Sequence, residues 1–362
     1  MIIDYIIIIS SILVSAITVG FFLISVIYWN KKIPKTKKEP FVSVVIASMN
    51  EEATIKKHIE SLLNQSYKKY ELIYIDESKD KTRSVLKNFA SKHRKIKLIL
   101  LNGKRHGKRK CLEIGIKKAR GEIILYTDAD CYATKNWIKN MVNGLNSYDV
   151  VISSAKTKIR RFVDEIKNLE HIYWTGILPT IGLFIKTKFI GGWGGNMGFW
   201  KKDFRKIKGY YGIENYIAED IALVNKFRKN KYKIGFIFNA IIWMEPEEKW
   251  LKQKIRWIRI TRQAVGKSTA VFYFYPMMFN SLFALGFSLA GLFFNSLFWW
   301  MPITVLFVSE ALCAAHIYFA IKQSKKSWLA LIISASDFLI KFIYFYAFFK
   351  RSVYWKGQIK VQ

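Results

Sequence analysis

The chain has 362 residues, a formal net charge of +33, 51% hydrophobic residues and 16% aromatic residues. That balance excludes a disordered segment or a minimal module, and leaves room for one large domain plus membrane segments. Cys111, Cys131 and Cys313 form no C-x-x-C and the five histidines show no paired metal spacing, so neither a disulfide framework nor a histidine metal site is expected.

From Tyr5 to Trp29 the sequence carries no charge, and the run exceeds the roughly 20 residues a bilayer-spanning helix needs. The basic residues follow the run rather than precede it, and no small-residue cleavage site is evident, which favours a retained anchor over a signal peptide. Lys31, Lys32, Lys35, Lys37 and Lys38 come next and place that end on the cytoplasmic side.

Strand-like and helix-like runs then alternate: "VSVVIAS" at 42–48, an amphipathic stretch near 52–64, "YELIYID" at 70–76, a polar helix near 80–92, "IKLILL" at 96–101, a helix near 108–119 and "EIILYTD" at 122–128. This predicts βαβ units and a largely parallel sheet covered by helices. Ligands on such sheets bind beyond the carboxyl ends of the strands. Acidic clusters fall at three of those ends: Asn50, Glu51 and Glu52; Asp76, Glu77 and Ser78; Asp128 and Asp130. Any one of them has a plainer reading, since Asn50 or Asp80 could cap the following helix. On successive strand ends of a strongly basic chain, the three together indicate a site.

No G-x-G-x-x-G or G-x-x-x-x-G-K-[ST] follows the first strand, so a dinucleotide or Walker-type cradle is not expected. A divalent cation is another way to hold a phosphorylated ligand. Asp128 and Asp130, two positions apart, lie on one strand face and present hard oxygen donors. A D-x-D by itself arises often by chance.

The segments "VSVVIASMNEE", "ELIYIDESKDKT", "GKRKCLEIGIKKARGEIILYTDADC", "GGN", "AEDIAL" and "QKIRW", in that order, resemble the membrane-bound family 2 glycosyltransferases, which have a GT-A fold. The resemblance covers roughly residues 41–265. It implies an α/β fold, a GT-A type nucleotide-diphospho-sugar transferase domain with a Rossmann-like mixed sheet. It also implies roles by position. Glu51 and Asp76 would hold the nucleoside, Lys108 would approach the diphosphate, Asp128 would contact the nucleotide and Asp130 would bind Mg2+ or Mn2+. Asp220 of the "ED" pair would be the general base. Arg256 would contact the diphosphate, and Gln253 and Trp257 would line the acceptor site, with Asn196 a further contact near donor sugar and acceptor. Two departures are Ala47 for the usual proline and Glu77–Ser78 in the usual D-D-G-S turn.

One base and no second carboxylate nucleophile in the motif set imply single displacement, and the resemblance implies inversion at the sugar. The resemblance points to a nucleotide-sugar donor, with uridine the expected base. A lipid, lipid-linked or glycan acceptor is expected, with a processive polysaccharide synthase as the alternative within the family and a non-catalytic membrane scaffold as the alternative outside it.

"KWLKQKIRWIRITRQ" has the pattern of a basic amphipathic helix on a membrane surface. Beyond it, about Val271 to Phe294, Leu297 to Ala320 and Trp328 to Phe349 are apolar runs, expected as three C-terminal spans. Four crossings put the C-terminus outside, against the basic residues Lys350, Arg351, Lys356 and Lys360, so the last run is re-entrant or the charge rule fails there. Asp337 and Lys341 inside it read as a helix-to-helix pair. The expected organisation is an anchor at 1–30, a basic linker at 31–40, a catalytic domain at 41–247, an interfacial helix at 248–268 and a membrane region at 269–362. The lysines are spread around the domain and its membrane junctions, and no nucleic-acid module is visible, so anionic lipid rather than nucleic acid is the expected partner of the charge. The localisation expected is integral to the plasma (inner) membrane, with the catalytic domain cytoplasmic.

Overall fold

The computed structural model describes residues 2–29, 33–36, 38–103, 105–172, 182–183, 195–214, 219–245, 283–320, 352–355 and 358–361. The chain divides into two units, Asn30–Pro246 and a second one made of Met1–Trp29 with Glu247–Gln362.

Asn30–Pro246 is built on a seven-stranded sheet. Its first four strands are β1 (Val42–Ser48), β2 (Tyr70–Asp76), β3 (Ile96–Leu100) and β4 (Ile123–Thr127). Between them run α2 (Ile55–Leu63), α3 (Thr82–Lys92) and α4 (Lys108–Lys118); α1 (Ile2–Trp29) belongs to the other unit. β1 pairs in parallel with β2 and β4, and β2 with β3. β2 is buried along its whole length, as expected of a strand covered on both faces, which is why these strands read as apolar runs rather than alternations.

The short strand β5 (Cys131–Tyr132), α5 (Trp137–Leu145), β6 (Val150–Ile152), β7 (Ala155–Thr157) and α6 (Phe162–Ile172) follow. Then come β8 (Asn196–Trp200), α7 (Lys201–Lys206), α8 (Glu219–Lys229), β9 (Ile234–Phe236) and β10 (Ile242–Met244). The sheet order is β3-β2-β1-β4-β8-β6-β9, and β5-β10-β7 form a separate three-stranded sheet. β8 runs antiparallel to both β4 and β6, so the sheet is mixed rather than largely parallel as the alternation alone suggested.

The two faces of β1 sort its side chains. Val42, Val44 and Ile46 join a buried cluster with Ile55, Ile59 and Leu62 of α2 and with Trp137, Ile138 and Met141 of α5. On the other face α4 lies close: a Cβ on Gly115 would sit 2.4 Å from Val45 Cγ1 and 2.5 Å from Ile75 Cδ1. Only a glycine lets α4 approach this near. The acid Glu71 has a plainly structural use far from the strands' carboxyl ends, accepting from Ser43 Oγ at 2.7 Å and from Arg120 N and Nε at 2.7 and 3.0 Å.

In the other unit, α1 packs along α10 (Met301–Ala320), and a helix at 283–293, α9, contributes Ala284 to a small cluster with Val14 and Leu306. Ser296 Oγ donates to Asp4 Oδ1 at 2.6 Å. Strands β11 (Ser352–Trp355) and β12 (Gln358–Val361) pair antiparallel. Counting only the described residues, no helix is long and apolar enough to cross a membrane; several side chains of α1 are not among them. The run at 328–349, with Asp337 and Lys341, lies outside the described residues.

Candidate active site

The acids expected at the strand ends fall at the carboxyl ends of β1, β2 and β4, and a lysine joins one of them, Asp128, to Glu219 of α8. Lys108 opens α4, directly after Gly107, whose φ of +81° only glycine adopts freely. Its Nζ lies 2.8 Å from Asp128 Oδ1 at the end of β4 and 3.1 Å from Glu219 Oε1 at the start of α8. Burial works against the lysine's charge, but Asp128, Glu219 and Asp220 outweigh it and hold the ammonium pKa well above its ordinary value. Lys108 is therefore a fixed cation.

Asp130, two residues beyond Asp128, is partly buried; desolvation, then the charge of Asp128, raises its pKa. Its Oδ1 accepts a hydrogen bond from the Cys131 thiol, sulfur to oxygen 3.3 Å, and Cys131 is buried as expected of a small neighbour of the D-x-D. The carboxylate pair is underneutralised in its own right, and its donors are hard oxygens, which fits Mg2+ or Mn2+. Among the described residues no three His, Cys, Asp or Glu side chains group closely enough to cage a metal.

The turn of Cys131 is held from α2. His58, fully buried, places Nδ1 2.6 Å from the Cys131 carbonyl oxygen, so Nδ1 carries the proton and donates. Burial drives its pKa down to about 4, so the ring is neutral near pH 7.

Asp76 is completely buried at the end of β2. Its Oδ1 accepts from Ser48 Oγ at 2.8 Å and Ser78 Oγ at 2.6 Å, and its Oδ2 from Arg83 Nε at 3.2 Å. Arg83 also reaches Asn102 Oδ1 at 2.7 Å and the Leu101 carbonyl at 2.9 Å, so Asp76 is a braced floor residue. Glu51 is only partly buried, with Thr54 Oγ1 3.4 Å from its Oε2. Asn50, at φ 58°, accepts from Lys79 N, 29 residues on, rather than capping α2, while Asp80 Oδ1 accepts from Thr82 N at 3.0 Å at the start of α3.

Glu77, one of the two departures from the family pattern, has a definite task. Its carboxylate takes the backbone N–H groups of His106 and Gly107 at 2.5 and 3.1 Å and His106 Nδ1 at 3.1 Å. Burial acts to raise its pKa, but these donors overcome that and lower it. The glutamate thereby fastens the loop that delivers Lys108.

Asn196 was expected at the acceptor and is instead a buried structural residue. Its side-chain amide donates to the Ser154 and Ala240 carbonyls at 2.9 and 2.7 Å, and its Oδ1 accepts from Trp137 Nε1 at 2.9 Å. Both amide protons are engaged and the side chain has no exposed surface, the same degree of burial that Asp76 has. Asp220 lies in the first turn of α8, its Oδ1 2.7 Å from Ile221 N. Behind it, the buried hydroxyls of Tyr126 and Tyr210 share a 2.8 Å hydrogen bond. Gln253, Arg256 and Trp257, and the helix expected at 248–268, lie outside the described residues.

Sequence reasoning missed the Glu219 contact, the Glu77 clasp, and the bracing by His58 and Arg83. Glu219 and Glu77 stood inside quoted motifs and were findable there; a lone histidine and a lone arginine carried no signal.

A mixed sheet with acids at the ends of β1, β2 and β4, a D-x-D and a lysine at a helix start define the GT-A type of nucleotide-sugar transferase fold. Across the whole chain a solved structure agrees: a mannosyltransferase of Pyrobaculum calidifontis, described in complex with GDP-Man and Mn2+, superposes with a TM-score of 0.54 at 18% identity over 93% of this chain and 99% of that one. Residues 43–208, 166 of the chain's 362, match the family Glycosyl transferase family 2, so the chain carries a domain of that family. It is 29% identical over 266 residues to a probable glycosyltransferase, YdaM, of Bacillus subtilis, covering 68% of this chain and 62% of that protein. It is 28% identical over 233 residues to a poly-beta-1,6-N-acetyl-D-glucosamine synthase of Staphylococcus epidermidis, covering 60% of this chain and 53% of that one. The matched region thus spans less than two thirds of either relative.

Proposed function

We propose that the chain is an inverting glycosyltransferase that moves a hexose from a nucleotide-sugar, a UDP-sugar, to a lipid, lipid-linked or glycan acceptor at a membrane. The observation that supports this is the ion bridge from Asp128 through Lys108 to Glu219, which joins the strand end carrying the D-x-D to the helix carrying the candidate base.

The bridge has a mechanistic consequence. A donor diphosphate entering the rim offers Lys108 oxygens that become more negative as the sugar–phosphate bond breaks, so the ammonium stabilises the transition state more than the ground state. Asp128 and Asp130 would hold a Mg2+ or Mn2+ ion, which supplies further charge neutralisation on the diphosphate when bound. Glu51 and the braced Asp76 form the nucleoside end. Asp220 takes the proton of the acceptor hydroxyl as its oxygen bonds to the anomeric carbon and the nucleoside diphosphate leaves; one such displacement inverts the sugar carbon. Arg256 would add positive charge to the diphosphate, and Gln253 and Trp257 would flank the acceptor.

Membrane attachment is supported by α1. It exposes Ile2, Tyr5, Ile6, Ile9, Ile12, Leu13, Leu23 and Ile27, and α10 exposes Val308 and Leu312. Water is a poor solvent for such a surface, and lipid a good one. With Lys31, Lys32, Lys35, Lys37 and Lys38 following α1, the catalytic unit would be cytoplasmic at the plasma (inner) membrane.

The test is a donor screen of the full chain in detergent, with UDP- and GDP-sugars and Mn2+ or Mg2+, reading nucleoside diphosphate release and labelled product. Turnover of one UDP-sugar, lost in Asp220→Asn, is expected. Normal turnover by that variant removes the base assignment, and no binding or consumption of any donor supports the scaffold reading. The likeness to a poly-N-acetylglucosamine synthase favours a second reading, a processive synthase; a ladder of long products would establish it over transfer to a lipid.

A further inference from the structure

A second group of charges gathers on the three-stranded sheet β5-β10-β7. Glu245, the residue after β10, receives Lys57 Nζ and Lys158 Nζ on Oε1, each at 3.3 Å, and the Arg160 guanidinium on Oε2. Three cations on one carboxylate leave two positive charges uncancelled. By donor inventory about eleven N–H bonds face about four lone-pair sites. The cations are also placed, not splayed. Lys57 Nζ stands 4.3 Å over the Tyr132 ring, and Lys156 Nζ 4.3 Å over the Trp243 ring. Trp243 is the cross-strand partner of both Tyr132 and Lys156.

The backbone beneath them is fixed. Lys158 N donates to the Met244 carbonyl at 3.0 Å, and Arg160 N and Arg161 N donate to Asp164 Oδ2 at 3.1 and 2.9 Å. Lys57, Lys158 and Arg160 nevertheless keep 48%, 40% and 63% of their side-chain surface exposed, so an incoming anion reaches them. An ordinary solvated charge cluster would spread its lysines apart; here a single glutamate draws them together. Tyr132 stands two residues after Asp130, so this surface adjoins the D-x-D along the chain.

We propose that Lys57, Lys158 and Arg160, gathered by Glu245 over Tyr132 and Trp243, form a binding site for a phosphate-bearing group on the acceptor side of the transfer centre. A guanidinium fork with two ammoniums can meet the three terminal oxygens of a phosphate monoester or the two free oxygens of a lipid phosphodiester. That the phosphate belongs to the acceptor or its lipid surroundings rests on the transferase reading; that the site binds phosphate does not.

Lysine footprinting tests the site without turnover. The full chain, in nanodiscs of neutral phosphatidylcholine, is acylated sparingly with an amine reagent and its peptides are read by mass spectrometry. One arm adds glycerol 1-phosphate, with glycerol as its neutral control. The other replaces about 30% of the lipid by phosphatidylglycerol, whose headgroup attracts cations at the surface. Labelling of Lys57 and Lys158 is expected to fall by about threefold in one arm, the occupancy effect of a bound ligand, with exposed Lys139 unchanged and the protection weakened in Arg160→Gln. Protection by the soluble ester assigns the phosphate to an acceptor glycan, and protection only in the anionic discs assigns it to a lipid headgroup. Labelling of Lys57 and Lys158 that tracks Lys139 in both arms overturns the proposal. Protection in a chain that consumes no donor leaves the phosphate site standing and removes its link to transfer.

Discussion

Acidification should weaken the folded unit through one residue, His58. The ring has an ordinary pKa of 6.5 and, buried in α2, one of about 4. Above pH 6.5 neither state of the chain takes up the proton. Between 6.5 and 4 the unfolded chain binds it and the folded one does not, so stability falls as pH falls through that window and rises again with pH. Going from pH 7 to pH 5, linkage gives a loss of about 2 kcal/mol from this group, or roughly 4–8 °C in Tm for a unit of this size. His58→Asn keeps a donor within reach of the Cys131 carbonyl and removes the titration. Thermal unfolding of the full chain in detergent, followed by intrinsic fluorescence at pH 7.5, 6 and 5, should show the wild type losing several degrees more than the variant. The surface carboxylates titrate equally in both, so equal pH slopes for the two proteins would refute the reasoning.

Three further outcomes follow from the site. Asn196→Ala removes three buried hydrogen bonds and leaves the Trp137 indole and two carbonyls unpaired, so unfolding should become easier by about 2–4 kcal/mol, while donor KM measured on folded protein stays put; a large KM change with intact stability would return Asn196 to substrate contact. Glu77→Gln should loosen the loop before Lys108 and raise donor KM about tenfold, the equivalent of one charge-assisted hydrogen bond, with kcat little changed, as read in steady-state assays. Chelation with EDTA should abolish nucleoside diphosphate release, and Mn2+ or Mg2+ should restore it; full activity in EDTA would remove Asp130 from its metal role.

The sequence made the rim legible because strand ends follow from hydrophobic runs, and acids after such runs fall on one edge of a parallel sheet. Asp128 was read this way and Lys108 from the family resemblance, and their side chains meet. What escaped it depends on contacts distant along the chain. The register of β8 places Asn196 opposite Thr127, and nothing in "GGWGGNMGF" distinguishes a loop near the substrate from a strand entering the sheet. Glu77 looked like a loss of turn glycine, whereas its longer side chain reaches the N–H groups of a loop thirty residues on. His58 is one histidine on an amphipathic helix, and its buried hydrogen bond spans 73 residues. Local pattern holds no record of such partners.

The antiparallel strand also sets an order of events at the ribosome. β4 and β6 both pair with β8, and β6 ends at Ile152 while β8 begins at Asn196, a wait of 44 residues (196 − 152). At about 5–20 residues per second, β6 stands with an open edge for roughly 2–9 seconds, and β4, which ends 69 residues before β8 (196 − 127), for roughly 3–14 seconds, before the strand that joins them is made. Through that interval the nascent chain presents the apolar "IILYT" of β4 and "VVI" of β6 as templates for any extended segment nearby. Misassembly of this enzyme in a heterologous host should therefore begin at the centre of its sheet, and slower translation through 153–195 would lengthen the exposure rather than relieve it.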